Sequence, residues 1–256
     1  MKAMIFDSHA HYDAEQFEED RHELLSSMEA NGIGTIVNSG ANWDSVTAVV
    51  ELAQHYPFMY AAVGLHPDEI GDLNEERFAY VKEQCKQEKV VAVGEIGLDY
   101  YWDNEPREKQ KEWFIRQLEL ARELDLPVII HSREAAADTL EIMKEHAVGL
   151  RGVIHCFSYS KELANEYLKM GFYIGIGGVV TFKNSKKLKE IVREIPLNRI
   201  LLETDCPYLA PSPYRGKRNS SLYLPYVVQE IAELKGVTCE EVITQTEQKG
   251  KELFRI

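Results

Sequence analysis

This 256-residue chain lacks a basic excess, a cysteine pair and a long apolar run. Lys and Arg number 29 against 42 Asp and Glu, giving a formal net charge of -13. A protein that grips a long stretch of nucleic acid ordinarily shows a basic face, so any polyanionic ligand here must be held by a few local contacts and by metal ions. The four cysteines (Cys85, Cys156, Cys206, Cys239) form no CxxC pair and read as reduced thiols. No apolar run approaches the roughly 20 residues of a membrane helix. The opening MKAMIFDSHAH has neither the apolar stretch nor the small-residue cleavage site of a secretion signal, so the expectation is a cytoplasmic protein away from membranes. Low-complexity tracts, repeats and linkers are also missing. Residues 1–256 are therefore expected to form one domain, with no obligate protein partner inferred.

What is present is an alternation of short apolar runs with longer amphipathic, charged stretches. The strand candidates are AMIFDSHAH (3–11), TIVNSG (35–40), MYAAVGLHP (59–67), VVAVGEIGLD (90–99), PVIIHSR (127–133), GVIHCF (152–157), YIGIGG (173–178) and RILLETDCP (199–207). Each is nearly continuous in apolar character, as parallel strands covered by helices are. Between them run segments such as 107–125, with apolar residues three and four apart. Gly32 and Gly34 punctuate the approach to the second strand, Gly171 the seventh and Pro196 the eighth. The alternation predicts an α/β fold with a parallel sheet, either open or closed.

Six strands end in titratable groups: His9 and His11, His66, Glu95, His131, His155 and Asp205. An open sheet builds its site from two or three strands at a switch point, whereas a barrel gathers residues from all its strand ends. The pattern therefore predicts a closed (β/α)8 TIM barrel. His9 and His11 share one face through the two-residue period of a strand. Asp7 has the same phase, one step deeper, where it could orient an imidazole. Glu95 is a carboxylate inside an apolar strand, costly unless paired or metal-bound, and fits a group shared between two ions. His131 and His155 repeat one pattern, three apolar residues followed by His, and suggest a second metal. Glu203 has the phase of Asp205 and is expected in a structural role; Asp99 and Tyr100 are expected to shape a loop. Alternation turns Cys156 and Cys206 toward the helices, and His22, His55 and His146 fall in helical segments facing solvent.

The stretches FDSHAH, GLHP (64–67), GEIGLDYY (94–101), HSR (131–133), HCFS (155–158), ETDCPYLAP (203–211) and YRGKRN (214–219) together resemble the TatD family of metal-dependent deoxyribonucleases, across nearly the whole chain. The resemblance implies two divalent ions. His9 and His11 would hold one, His131 and His155 the other, with Glu95 bridging and Asp205 binding the first ion while handling the attacking water. Zinc, manganese or iron suit such donors better than magnesium, although sites of this kind accept whichever ion is supplied. The resemblance also implies DNA as substrate, bound locally at the barrel mouth as a single strand and cleaved from an end. His66 is placed to contact the phosphate or leaving group, and Arg133, Arg215 and Lys217 are phosphate-clamp candidates. The chain departs from the usual pattern at Tyr159, at Ser220 and Ser221, and in TEQKGKELF near the end. Ester or amide hydrolysis, such as deacylation of an aminoacyl-tRNA, is the rival chemistry; a non-catalytic barrel is the rival class.

Overall fold

The computed structural model describes residues 3–102 and 104–256. Eight parallel strands follow one another around the sheet in chain order: β1 (Ile5–Ala10), β2 (Ile33–Ser39), β3 (Met59–Ala62), β4 (Val90–Asp99), β5 (Val128–Arg133), β6 (Gly152–Ile154), β7 (Tyr173–Ile176) and β8 (Ile200–Leu202). The ends of that series meet. Thr204 and Asp205 donate their backbone N–H groups to the His9 carbonyl at 3.3 and 3.0 Å, and His11 N donates to the Cys206 carbonyl at 2.9 Å. The TIM-barrel expectation therefore holds.

Around the sheet lie α1 (Arg21–Ser26), α2 (Trp43–His55), α3 (Glu75–Gln84), α4 (Arg107–Leu124), α5 (Ala136–His146), α6 (Lys161–Lys169), α7 (Lys186–Glu194), α8 (Leu224–Lys235) and α9 (Cys239–Phe254). Their starts follow local chemistry. The Asn42 side chain accepts from Ser45 N to cap α2, and Ser160 and Thr238 do the same for α6 and α9.

Two apolar layers result. One lies between sheet and helices; the other fills the barrel with Phe6, Val37, Ala62, Val91, Ile129, Val153 and Leu201. Leu253 and Phe254, at the end of α9, join the inner layer, and the Phe254 ring stacks on Phe6 at 5.9 Å. A Cβ at Gly250 would meet the Phe6 ring at 2.9 Å, so the unusual TEQKGKELF segment is fitted to this floor. The other end of the barrel is left for polar groups.

Several strands are shorter than the sequence suggests. β3 stops at Ala62 and not at 67, β6 at Ile154 and not at 157, and β8 covers only Ile200–Leu202 of 199–207. The apolar pattern continues past the point where the ladder ends, because the turns above the barrel are also packed. His66, His155 and Asp205 thus stand on loops just beyond their strands. Cys156 (φ 47) and Asp205 (φ 56) adopt the left-handed backbone that breaks the ladder there. Gly34 lies within β2, not before it; a Cβ there would sit 2.6 Å from Met4 Cβ. Gly32 and Gly171, at φ 83 and 90, do mark turns.

Candidate metal centre

The Glu95 carboxylate is the hub of the barrel mouth. One of its oxygens lies 3.3 Å from His9 Nε2 and 3.4 Å from His11 Nε2; the other lies 2.8 Å from His131 Nδ1, 3.1 Å from His155 Nε2 and 4.0 Å from His66 Nε2. Asp205 Oδ1 approaches from β8, 3.6 Å from His9 Nε2 and 3.5 Å from His11 Nε2. Residues from positions 9 and 205 thus meet around one carboxylate, brought there by closure of the sheet.

The hydrogen bonds behind these atoms fix which nitrogens face inward. His11 Nδ1 lies 2.8 Å from the Ser39 carbonyl, which can only accept, so the proton is on Nδ1 and the Nε2 lone pair points into the site. His131 Nε2 donates to Asp99 Oδ2 at 2.9 Å, so Nε2 carries a proton and Nδ1 is the nitrogen that faces Glu95. His9 Nε2 and His11 Nε2 are 2.9 Å apart. Imidazole nitrogens and a carboxylate gathered at such distances need protons or a cation between them. Two donor sets satisfy that need, His9 with His11 and Glu95, and Glu95 with His131 and His155; His9, His155 and Asp205 converge likewise. The donors fit a divalent transition-metal ion.

Proton affinities tell the same story. Burial acts to lower the His11, His131 and His155 values, yet nearby carboxylates outweigh it and raise all three. Asp205 and Glu95 do so for His11, Asp99 and Glu95 for His131, Glu95 and Glu203 for His155. Glu95 itself is held well below its usual value, because His155 and His9 override the effect of burial. The site draws positive charge, as protons or as metal.

His66 is different. Burial, reinforced by His131, pushes it down to about 3, so it is neutral. Its Nδ1 accepts from Asp68 N at 3.2 Å, which places its proton on Nε2, the atom facing Glu95. It offers a hydrogen bond into the site rather than a charge.

Three expectations need correction. Asp7 touches no imidazole ring. Its oxygens accept from His9 N, Thr204 N, Thr204 Oγ1 and Ser221 Oγ at 3.3, 3.0, 2.8 and 2.6 Å, fastening β1 to the chain that follows β8. Ser39, at the end of β2, orients the first histidine pair instead, with its hydroxyl 3.1 Å from His9 Nδ1. Asp99 does more than shape a loop, since it backs His131. Cys156 does not turn toward the helices, because its left-handed backbone lies beyond β6; with Asp205 and Glu203 it lines a small cavity. Cys206 is buried in the core. Glu203 Oε1 accepts from Cys156 N at 2.6 Å and lies 3.5 Å from His155 Nδ1.

Sequence reasoning missed Ser39 and the backing role of Asp99. The signal for Asp99 was present: Glu95, Gly97 and Asp99 share one phase of β4. Of the clamp candidates, Arg133 is exposed beside the site and stacks 3.7 Å over Tyr101. Arg215 stacks 4.4 Å over Phe182, and Lys217 is exposed nearby; neither reaches the carboxylate cluster. Tyr159 bonds the Ser132 hydroxyl at 3.0 Å, while Ser221 serves Asp7. His22 and His55 are exposed on helices and His146 is half-buried.

A closed parallel barrel with a buried histidine–carboxylate cluster at the C-terminal ends of its strands defines the class of metal-centred barrel proteins. Within it, residues 6–255 match the TatD related DNase family, and the chain belongs to that family. It is 49% identical to the uncharacterized metal-dependent hydrolase YabD of Bacillus subtilis, covering 99% of this chain and 100% of that one. It is 37% identical to the uncharacterized metal-dependent hydrolase YcfH of Escherichia coli K12, over 98% and 96% of the two chains. The crystal structure of the TatD homolog YjjV from Escherichia coli K12 superposes with a TM-score of 0.92 at 32% identity, covering 100% of both chains.

Proposed function

We propose that the chain is a divalent-metal-dependent phosphodiesterase that cleaves single-stranded DNA from an end, with His9, His11, Glu95 and Asp205 holding one ion and Glu95, His131 and His155 a second. One observation carries this reading: a single buried carboxylate has five imidazole nitrogens within 4.0 Å. Membership of a family described as DNases and relatives named metal-dependent hydrolases support it.

When bound, such ions supply Lewis acidity to a water and neutralise phosphate charge. Asp205, held in its anionic form by the surrounding imidazoles, takes the proton from the attacking water. His66, neutral, offers an Nε2–H hydrogen bond to a phosphate oxygen or to the departing oxygen. Arg133, beside His131, clamps a non-bridging oxygen, and its stacking on Tyr101 fixes its plane. Arg215 and Lys217 are further phosphate contacts. The four unpaired cysteines suit a reducing cytoplasm.

Titration calorimetry with manganese or zinc gives close to two ions per chain, and Glu95→Ala weakens both. The loaded protein, offered labelled single-stranded DNA, duplex DNA, RNA and aminoacyl-tRNA, cleaves the first. Cleavage confined to acyl bonds would replace the nuclease reading with the ester hydrolase one, and binding of two ions without any turnover would leave a non-catalytic barrel.

A further inference from the structure

The acidity of this chain is unevenly spread. Although 42 of its residues are Asp or Glu, none occurs in 170–189 or in 206–229. The first segment contains β7 and the start of α7; the second follows β8. In a (β/α)8 barrel both loops rise from the mouth beside the metal-ligating cluster.

They form one surface. Ser212 N donates to Thr181 Oγ1 at 2.8 Å, and the Arg215 guanidinium lies 4.4 Å over Phe182. Gly178 meets the second loop so closely that a Cβ there would lie 2.1 Å from the Leu209 carbonyl. Leu188 of α7 and Asp205 line the same small cavity, so this surface begins at the edge of the cluster.

Lys183, Lys186, Lys187, Arg215 and Lys217 are exposed on it. Neighbouring cations are compensated, Lys189 by Glu230 at 2.8 Å and Arg218 by Asp20 at 2.5 Å, but among the described residues no acidic side chain pairs with those five. Two of them, Lys186 and Lys187, open a helix whose first turn holds no acid, against the preference of the helix dipole. In a chain of net charge -13, this acid-free cluster of unpaired cations is a local positive surface to which an anion is drawn.

We propose that this face is a track for the backbone of a single-stranded polynucleotide, running from the metal-ligating cluster across the loops after β7 and β8. The inference rests on the phosphodiesterase reading and deepens it, because it assigns the phosphates away from the cleaved bond to a surface outside the metal-ligating cluster. Tyr208, 54% exposed at the cluster's edge, offers a free ring on which an unpaired base can stack. An anionic membrane fits less well, since Tyr208 and Leu209 are the large apolar side chains exposed on this face among the described residues.

The test measures binding of fluorescent, phosphorothioate-linked dT10 and dT2 to the metal-loaded protein by anisotropy between 50 and 200 mM salt. Wild type binds dT10 more tightly than dT2, with a steep salt dependence. The combined variant Lys183→Gln, Lys186→Gln, Lys187→Gln binds dT10 about tenfold more weakly and with a log–log slope smaller by about 2, at ~0.7 per phosphate contact on a single strand. An unchanged slope in the variant, equal affinity for dT10 and dT2, or preference for phosphatidylserine vesicles over dT10 overturns the track. Failure to cleave any phosphodiester, with the salt effect intact, overturns the enzymatic reading alone.

Discussion

Nε2 of His131 lies 2.9 Å from Oδ2 of Asp99, while Nδ1 of the same ring lies 2.8 Å from Oε1 of Glu95. The other Asp99 oxygen accepts from the backbone N–H groups of Tyr101 and Trp102, at 2.9 and 3.2 Å. One buried carboxylate therefore orients a histidine of the candidate metal centre and fixes the position of the mouth loop that carries two exposed aromatic rings.

Asp99→Asn is accordingly expected to be no milder than Asp99→Ala. The two backbone donors hold the amide oxygen on their side, so the NH2 group faces His131 Nε2. The ring proton is then driven onto Nδ1, which can no longer bind metal. Calorimetry should show cation binding weakened 10- to 100-fold for both variants. Wild-type affinity in Asp99→Asn would show that the carboxylate serves the loop alone.

How far the site could be read from sequence follows from the same geometry. The candidate ligands were legible because strand alternation places HxH, Glu95 and His131 at the mouth, while His155 and Asp205, on the loops just beyond β6 and β8, are brought beside them by closure. Asp7 was misassigned because phase gives a side of the strand but not a partner. Its partners, Thr204 and Ser221, are remote in sequence and meet it only when β1 and β8 close. Cys156 was misassigned because alternation ends with the ladder at Ile154, and a left-handed residue then turns its side chain back to the mouth. The fold survived such errors because helix and strand periodicity is repeated eight times, whereas each backing contact occurs once.

Ser39 separates the two histidines of the first pair. Its carbonyl serves His11 and its hydroxyl His9, so Ser39→Ala removes a partner from His9 alone. The expected loss is at the low end of the range for such contacts, about tenfold in cation affinity. Metal titration of the variant measures it, and a loss as large as that of His9→Ala would contradict the assignment.

Gly175, on β7, lies beneath Glu203. A Cβ at this position would stand 2.2 Å from Glu203 Oε2 and 3.1 Å from the Cα of His155. Gly175→Ala should displace Glu203, loosen its hold on Cys156 N and tilt the His155 ring. Overpacking of this kind costs about 1–3 kcal/mol. Urea unfolding and metal titration should both register the change; a variant with wild-type values in both would place Glu203 outside the support of His155.

The Asp7 carboxyl makes the acid dependence of folding testable. Burial pushes its pKa from the ordinary 3.8 to about 7, against the opposing hydrogen bonds from Ser221 and Thr204. Since the folded value is the higher one, the folded state binds the proton more tightly than the unfolded chain. The stability this group confers is thus complete below pH 3.8 and is lost as the pH climbs through about 7. Asp7→Asn keeps a neutral group of the same shape and removes that dependence. Chemical unfolding of chelator-treated wild type and variant should show the substitution costing more at pH 5 than at pH 8. A cost that grows with pH would mean that Asp7 is held as an anion, and that the contacts fastening β1 to the chain after β8 are charge-assisted throughout.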